Sequence, residues 1–151
     1  MLQLNLPAYS FNIKKEKGNH FIFDSIRKRF VSLTPEEWVR QHFVAFLIEE
    51  KKYPSALIAN EMTISYNGLK KRCDTLIYNR NREIVLIIEY KAPHVAITQE
   101  VFDQVAVYNM KLKVNYMIIS NGMEHFCCRI DYENMRYDYL KEIPCFDELL
   151  R

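Results

Sequence analysis

Arg72-Cys73-Asp74-Thr75-Leu76-Ile77-Tyr78, a turn at 79–83, then Ile84-Val85-Leu86-Ile87-Ile88-Glu89-Tyr90-Lys91-Ala92-Pro93 is the stretch on which the fold turns. From Ile84 to Ile88 the run is apolar without alternation, as in a strand buried on both faces. It then ends in Glu89 and Lys91, and an ion in an apolar interior is costly unless it neutralises, pairs or binds a metal. Residues two apart on a strand point to one side, so Glu89 and Lys91 project together. The turn folds the preceding strand back, which can bring Asp74 across from Glu89, in a register that only the structure supplies.

Two further Glu-x-Lys pairs, Glu49 with Lys51 and Glu50 with Lys52, fall in a different setting. Thr34-Pro35-Glu36-Glu37 carries the signature of a helix start, with Thr34 as N-cap, Pro35 at the first helical position and Glu37 closing a capping box. The helix is predicted over 35–52, packing through Val39, Phe43, Phe46, Leu47 and Glu50, and residues two apart on it do not face each other. Tyr53-Pro54 stops it. A half-wet strand is predicted over 57–65, Asn67-Gly68 turns the chain, and strands follow over 71–78 and 84–90. A second helix is predicted over 98–111, capped by Thr98, with Val101, Val105, Tyr108 and Leu112 on its packing face. Strands at 114–120, 125–131 and 136–140 complete the pattern.

The order helix, three-strand meander, helix, strand implies an α/β fold, a mixed central sheet with flanking helices and extensions at both ends. Residues 1–33 are expected to form an extended arm packing on a single domain, 34–151. Composition agrees: 151 residues, 49% hydrophobic and 26% charged, suit one compact core. A net charge of +2 excludes the strongly basic class of nonspecific phosphate binders. Basic clusters are mostly solvated surface, but Lys70-Lys71-Arg72 adjoins Asp74. No Walker or Rossmann glycine loop is present. Four cysteines without CxxC spacing suggest neither zinc nor a disulfide framework, and no leader or membrane span is read, so a reducing, cytoplasmic setting is expected.

Two convergent carboxylates, with main-chain carbonyls and waters, form the oxygen-rich, partly open shell that Mg²⁺ or Mn²⁺ prefers, and a nearby lysine can orient or deprotonate a water. A structural ion pair at a strand end is the competing reading of the same three residues.

The hairpin 72–93 resembles the active-site hairpin of the PD-(D/E)xK nuclease superfamily, and more narrowly that of the nuclease domain at the N-terminus of type I restriction enzyme R subunits. Gln104-Val105-Ala106-Val107-Tyr108 fits the Q-x-x-x-Y motif that follows the catalytic lysine in that group, and Thr34 to Gln41 and Asn121-Gly122 extend the resemblance over about 21–143. The resemblance implies a restriction-endonuclease-like α-β-β-β-α-β core and a Mg²⁺-dependent DNA endonuclease, with Mn²⁺ as substitute. It implies that Asp74, Glu89 and the main-chain carbonyl of Tyr90 hold the metal, that Lys91 assists the attacking water, and that Gln104 and Tyr108 support the site or touch DNA. An acid from the first helix often joins such sites, and Glu36, aligned with Val39, Arg40 and Phe43, is the expected one. Tyr90 departs from the small residue or cysteine common there.

Residues 1–151 contain no translocase motor or specificity domain, so a complete type I reaction is not expected of this stretch alone; restriction–modification subunits are expected partners, with DNA. Two alternatives stand beside this reading: a catalytically silent nucleic-acid-binding or assembly module on the same fold, and a structural homodimer joined through the N-terminal arm. His42, His125 and Trp38 read as packed residues, and Cys127 and Cys128 as neighbours on opposite strand faces.

Overall fold

A computed structural model describes residues 2–151. Three strands open the chain: β1 (Ile13–Glu16), β2 (Asn19–Asp24) and β3 (Arg29–Ser32), paired in order as an antiparallel sheet. The expected plain arm is thus a meander. Its first turn is local chemistry, since Lys17 and Gly18 both take positive φ, the pattern of a tight hairpin turn.

Helix α1 (Pro35–Glu49) starts as predicted, with Thr34 Oγ1 accepting from the Glu37 amide at 3.1 Å. The capping box does not close, because the Glu37 carboxylate is taken by Arg27 and Gln41 instead. The helix ends before 52, the expected limit, and Lys52 is left-handed. Nor is its packing face a single stripe: Glu37, Val39, Arg40, Gln41, His42, Phe43, Val44 and Leu47 are all buried, while Glu50 is exposed. Val39, Phe43 and Leu47 join the main core, and residues near the N-terminus cover the other side. Trp38 donates from Nε1 to the Leu2 carbonyl at 2.8 Å, and Phe11 packs edge-on against both Trp38 and His42.

The second sheet has six strands in sequence order: β4 (Ile58–Tyr66), β5 (Leu69–Tyr78), β6 (Ile84–Tyr90), β7 (Tyr116–Ser120), β8 (His125–Asp131) and β9 (Arg136–Leu140). All neighbours are antiparallel except β6 and β7, which are joined in parallel through the crossover helix α2 (Gln99–Leu112). This is the mixed α/β architecture expected from the sequence. Helix α1, with the short α3 (Phe146–Leu149), covers one face, and Leu86, Ile88, Tyr116 and Ile118 point into it. Helix α2 covers the other face, against Met117, Ile119 and Ile87.

The α2 packing face lies one position round from the expected one. Phe102, Ala106, Asn109 and Leu112 are buried, and Tyr108 is 39% exposed. Asn109 belongs inside because its amide donates to the Tyr116 carbonyl at 3.2 Å, fixing the helix to β7. In the turn after β7, Gly122 has φ +84°, a conformation that favours glycine, and a Cβ there would press on the Leu4 side chain at 2.8 Å where the N-terminal segment docks. No helix is long and apolar enough to cross a membrane.

Candidate active site

Asp74 sits in the row where one strand ladder is interrupted and another ends. The β4–β5 ladder pairs Asn60 with Thr75 and Met62 with Cys73, which sets Glu61 opposite Asp74, but Glu61 has φ +58° and the pair between them is not made. Into this opening α1 inserts Arg40, whose Nη1 donates to the Asp74 main-chain oxygen at 2.6 Å while Nη2 binds Glu61. On the other side the β5–β6 ladder ends at Thr75 with Ile88, and the next row would pair Asp74 with Glu89. There the strands fork, and the Asp74 side chain replaces the missing ladder bond: its Oδ2 accepts from the Tyr90 amide at 2.8 Å. Residues opposite one another on antiparallel strands share a face, so the two carboxylates converge.

The face toward α2 holds those carboxylates. Glu89 has a side-chain exposure of only 12%, and Lys71 Nζ stands 3.2 Å from its Oε1. That contact is off a hydrogen-bonding direction, and Oε1 is buried without a hydrogen-bond donor. Burial first, and then the negative charge of Asp74, push the Glu89 carboxyl up to about 8 against the pull of Lys71. A buried acid beside a second acid is a place for a proton or a cation. The residues fit a hard divalent ion in that respect. Among the described residues no group of three or more His, Cys, Asp and Glu side chains forms a metal cage, so the protein would supply two carboxylates and main-chain oxygen, the partial shell that Mg²⁺ completes with water and substrate oxygens.

Lys91 follows Tyr90 at the open end of β6, half-buried, with its amide donating to the Ser120 carbonyl at 2.9 Å. Tyr108 lies on the same side, its ring centroid 5.0 Å from Lys71 Nζ, and Gln104 is exposed one turn earlier on α2. Glu36 is not brought to this group: it is exposed, and the inward acid of the first turn is Glu37. Glu37 is already committed on the opposite face.

That opposite face carries a chain of alternating charge that sequence reading missed. Asp24 pairs with Arg27, Arg27 Nη2 with Glu37 at 2.7 Å, Arg40 Nε lies 3.1 Å from Glu37, Arg40 binds Glu61, and Arg72 Nε reaches Glu61 at 2.6 Å. Burial raises the Asp24 carboxyl, but hydrogen bonds from Arg27, Asn60 and the amides of Arg27 and Ile26 outweigh it and hold the group below its ordinary range. Glu61 is likewise lowered, burial being overcome by Arg40 and Arg72. Tyr90 closes this face, its hydroxyl donating to Thr75 Oγ1 at 3.0 Å beneath the Arg40 guanidinium. The advance signal was the three- and four-residue spacing of Arg40 and Gln41 from Glu37 along α1.

His42 and His125 are bound to structure: His42 Nδ1 lies 2.9 Å from the Trp38 carbonyl, and His125 bridges Ser120 Oγ and the Asn5 carbonyl. Cys127 packs in the α1-side core and Cys128 in the α2-side core.

A family model described as "Type I restriction enzyme R protein N terminus (HSDR_N)" matches residues 35–144. Among solved structures, a fragment assigned to an HsdR subunit of a type I restriction enzyme from Vibrio vulnificus YJ016 superposes with a TM-score of 0.54 at 21% identity, covering 78% of this chain and 25% of that one. That likeness is one of fold, and the chain spans about a quarter of the length of that relative. A protein assigned as a nuclease of DUF820 from Anabaena variabilis ATCC 29413 gives 0.47 at 12% identity, over 91% of this chain and 80% of its own. No match was found among curated proteins.

Proposed function

The chain belongs to the family of type I restriction enzyme R protein N termini, and on that premise we propose that it is a divalent-metal-dependent DNA endonuclease domain. One observation carries the reading: two carboxylates, Asp74 and Glu89, converge where the β5–β6 ladder forks, and a buried oxygen of Glu89 lacks a hydrogen donor. Asp74, Glu89 and the main-chain carbonyl of Tyr90 would hold Mg²⁺, with Mn²⁺ as substitute. When bound, the ion would supply Lewis acidity and a water of lowered pKa. The chain's own residues do the rest. The Tyr90 amide keeps Asp74 oriented into the fork, and Arg40 fixes the backbone of Asp74 from behind. Lys91, two residues after Glu89 on the same side, orients or deprotonates the attacking water. Gln104 and Tyr108 line the approach from α2 and meet DNA. Restriction–modification subunits are the proposed protein partners.

The test is cleavage of supercoiled and linear DNA in Mg²⁺ and Mn²⁺ by the wild type and by Asp74→Ala, Glu89→Ala and Lys91→Ala. Each substitution is expected to abolish cutting while leaving the circular dichroism spectrum intact. Cleavage retained by all three variants would end the proposal. No cutting by the wild type, together with no metal-dependent rise in melting temperature, would favour the catalytically silent binding or assembly module.

A further inference from the structure

We infer that Lys71, on β5, is a further residue of this site: it is the resident counter-ion of Glu89, is displaced from that carboxylate by a divalent ion, and then contacts a phosphate of bound DNA. This rests on the nuclease reading, and it concerns a lysine outside the Glu-x-Lys pair. Lys71 is the only cation within ion-pairing distance of Glu89 among the described residues, at 3.2 Å, with 19% of its side chain exposed. Its neighbours in sequence are disposed otherwise, since Lys70 is exposed and Arg72 is engaged by Glu61.

Three features make the contact exchangeable rather than permanent. The ammonium approaches Glu89 Oε1 without a hydrogen bond, so the pair lacks the geometry that makes a buried ion pair strong. A divalent ion at Asp74 and Glu89 would repel an ammonium held that close. Lys71 also has a second support: the half-exposed ring of Tyr108, with its centroid 5.0 Å from Nζ, where a cation is attracted to the ring face. A lysine stem can shift from the carboxylate further over the ring face without moving β5, and there its charge faces the solvent side of α2, where a nucleic-acid backbone would run. This gives Tyr108 a defined task as the shelf that holds the lysine at the mouth of the site.

The experiment compares Lys71→Met with Lys70→Met, which removes the same charge one residue away on the other strand face. Mn²⁺ binding is read by electron paramagnetic resonance, and binding of a short DNA duplex is read in Ca²⁺ over a range of salt. Lys71→Met is expected to bind Mn²⁺ at least about threefold more tightly than wild type, while Lys70→Met stays at the wild-type value. On DNA, Lys71→Met is expected to bind more weakly and to lower the slope of log K against log salt by about 1. Lys71→Arg should restore that slope. Tyr108→Leu, which keeps the charge and removes its shelf, should reproduce part of the loss of DNA affinity. If Lys71→Met matches Lys70→Met in Mn²⁺ affinity, or binds DNA as the wild type does, the assignment falls and the nuclease reading stands. If the wild type shows no Mn²⁺ site sensitive to Glu89→Ala, the nuclease reading itself falls and takes this inference with it.

Discussion

On the α1 face of the β5–β6 fork, charges alternate in sign from the buried Asp24 to the exposed Arg72; on the α2 face, two carboxylates stand side by side and Glu89 Oε1 receives no hydrogen bond. The two faces share one residue, Asp74, whose main-chain oxygen belongs to the first and whose side chain belongs to the second. Charge that is matched acts as structure, joining the N-terminal meander, α1 and the β4–β5 hairpin. Charge matched only in part, two carboxylates against the one ammonium of Lys71, leaves room for a cation.

This contrast breaks most readily at Arg40. Arg40→Met removes one partner each from Glu37 and Glu61 and the donor to the Asp74 carbonyl, and removing one partner of a buried pair costs about 3–5 kcal/mol, so a large drop in melting temperature is expected. An unchanged melting temperature would mean that the α1-side network is ornamental. The matching change on the other face has the opposite sign: in EDTA at pH 8, Glu89→Gln relieves a desolvated acid and should stabilise the protein by about 1–3 kcal/mol, measured by urea unfolding. Mg²⁺ should then raise the melting temperature of the wild type and not of the variant.

The faces should also titrate in opposite directions in metal-free protein. Asp24 and Glu61 lie below their ordinary values of 3.8 and 4.5, so the stability they contribute is complete above those values and is lost as pH falls through the lower folded-state ones. Glu89 behaves inversely: the unfolded chain releases its proton near 4.5 and the folded chain near 8, so stability declines as pH rises between the two. A melting-temperature profile should therefore show an acid limb and, between about pH 4.5 and about 8, a decline, and only the decline should vanish in Glu89→Gln. A decline that persists there would assign it elsewhere. The smallest effect is expected from Tyr90→Phe, which removes the hydroxyl donated to Thr75 on the well-matched face, at about 1 kcal/mol by thermal unfolding.

What could be read from the sequence was what neighbours along the chain decide. The apolar run 84–88 and the two-residue spacing of Glu89 and Lys91 predict a buried strand with a charged end, and Thr34-Pro35 predicts the start of α1. The register that sets Asp74 across from Glu89 depends on ladder geometry, as does the left-handed Glu61 that opens a place for Arg40. The stripe through Val39, Arg40 and Phe43 points to Glu36, whereas the acid that turns inward is Glu37. The meander and its Arg27 bury a second stripe. Lys71 was visible only as part of a basic cluster, because nothing in a linear spacing says which of three adjacent cations turns inward.

The single tryptophan of the chain has a practical consequence. Trp38 is tied at its indole nitrogen to Leu2, and it lines one groove of about 360 Å³ with Leu33, Pro93 and His94, the last two belonging to the loop that leaves Lys91. One fluorophore thus looks both at the seating of the N-terminal segment and at the exit of β6. Its emission provides an optical readout of site rearrangement that needs no label and no turnover.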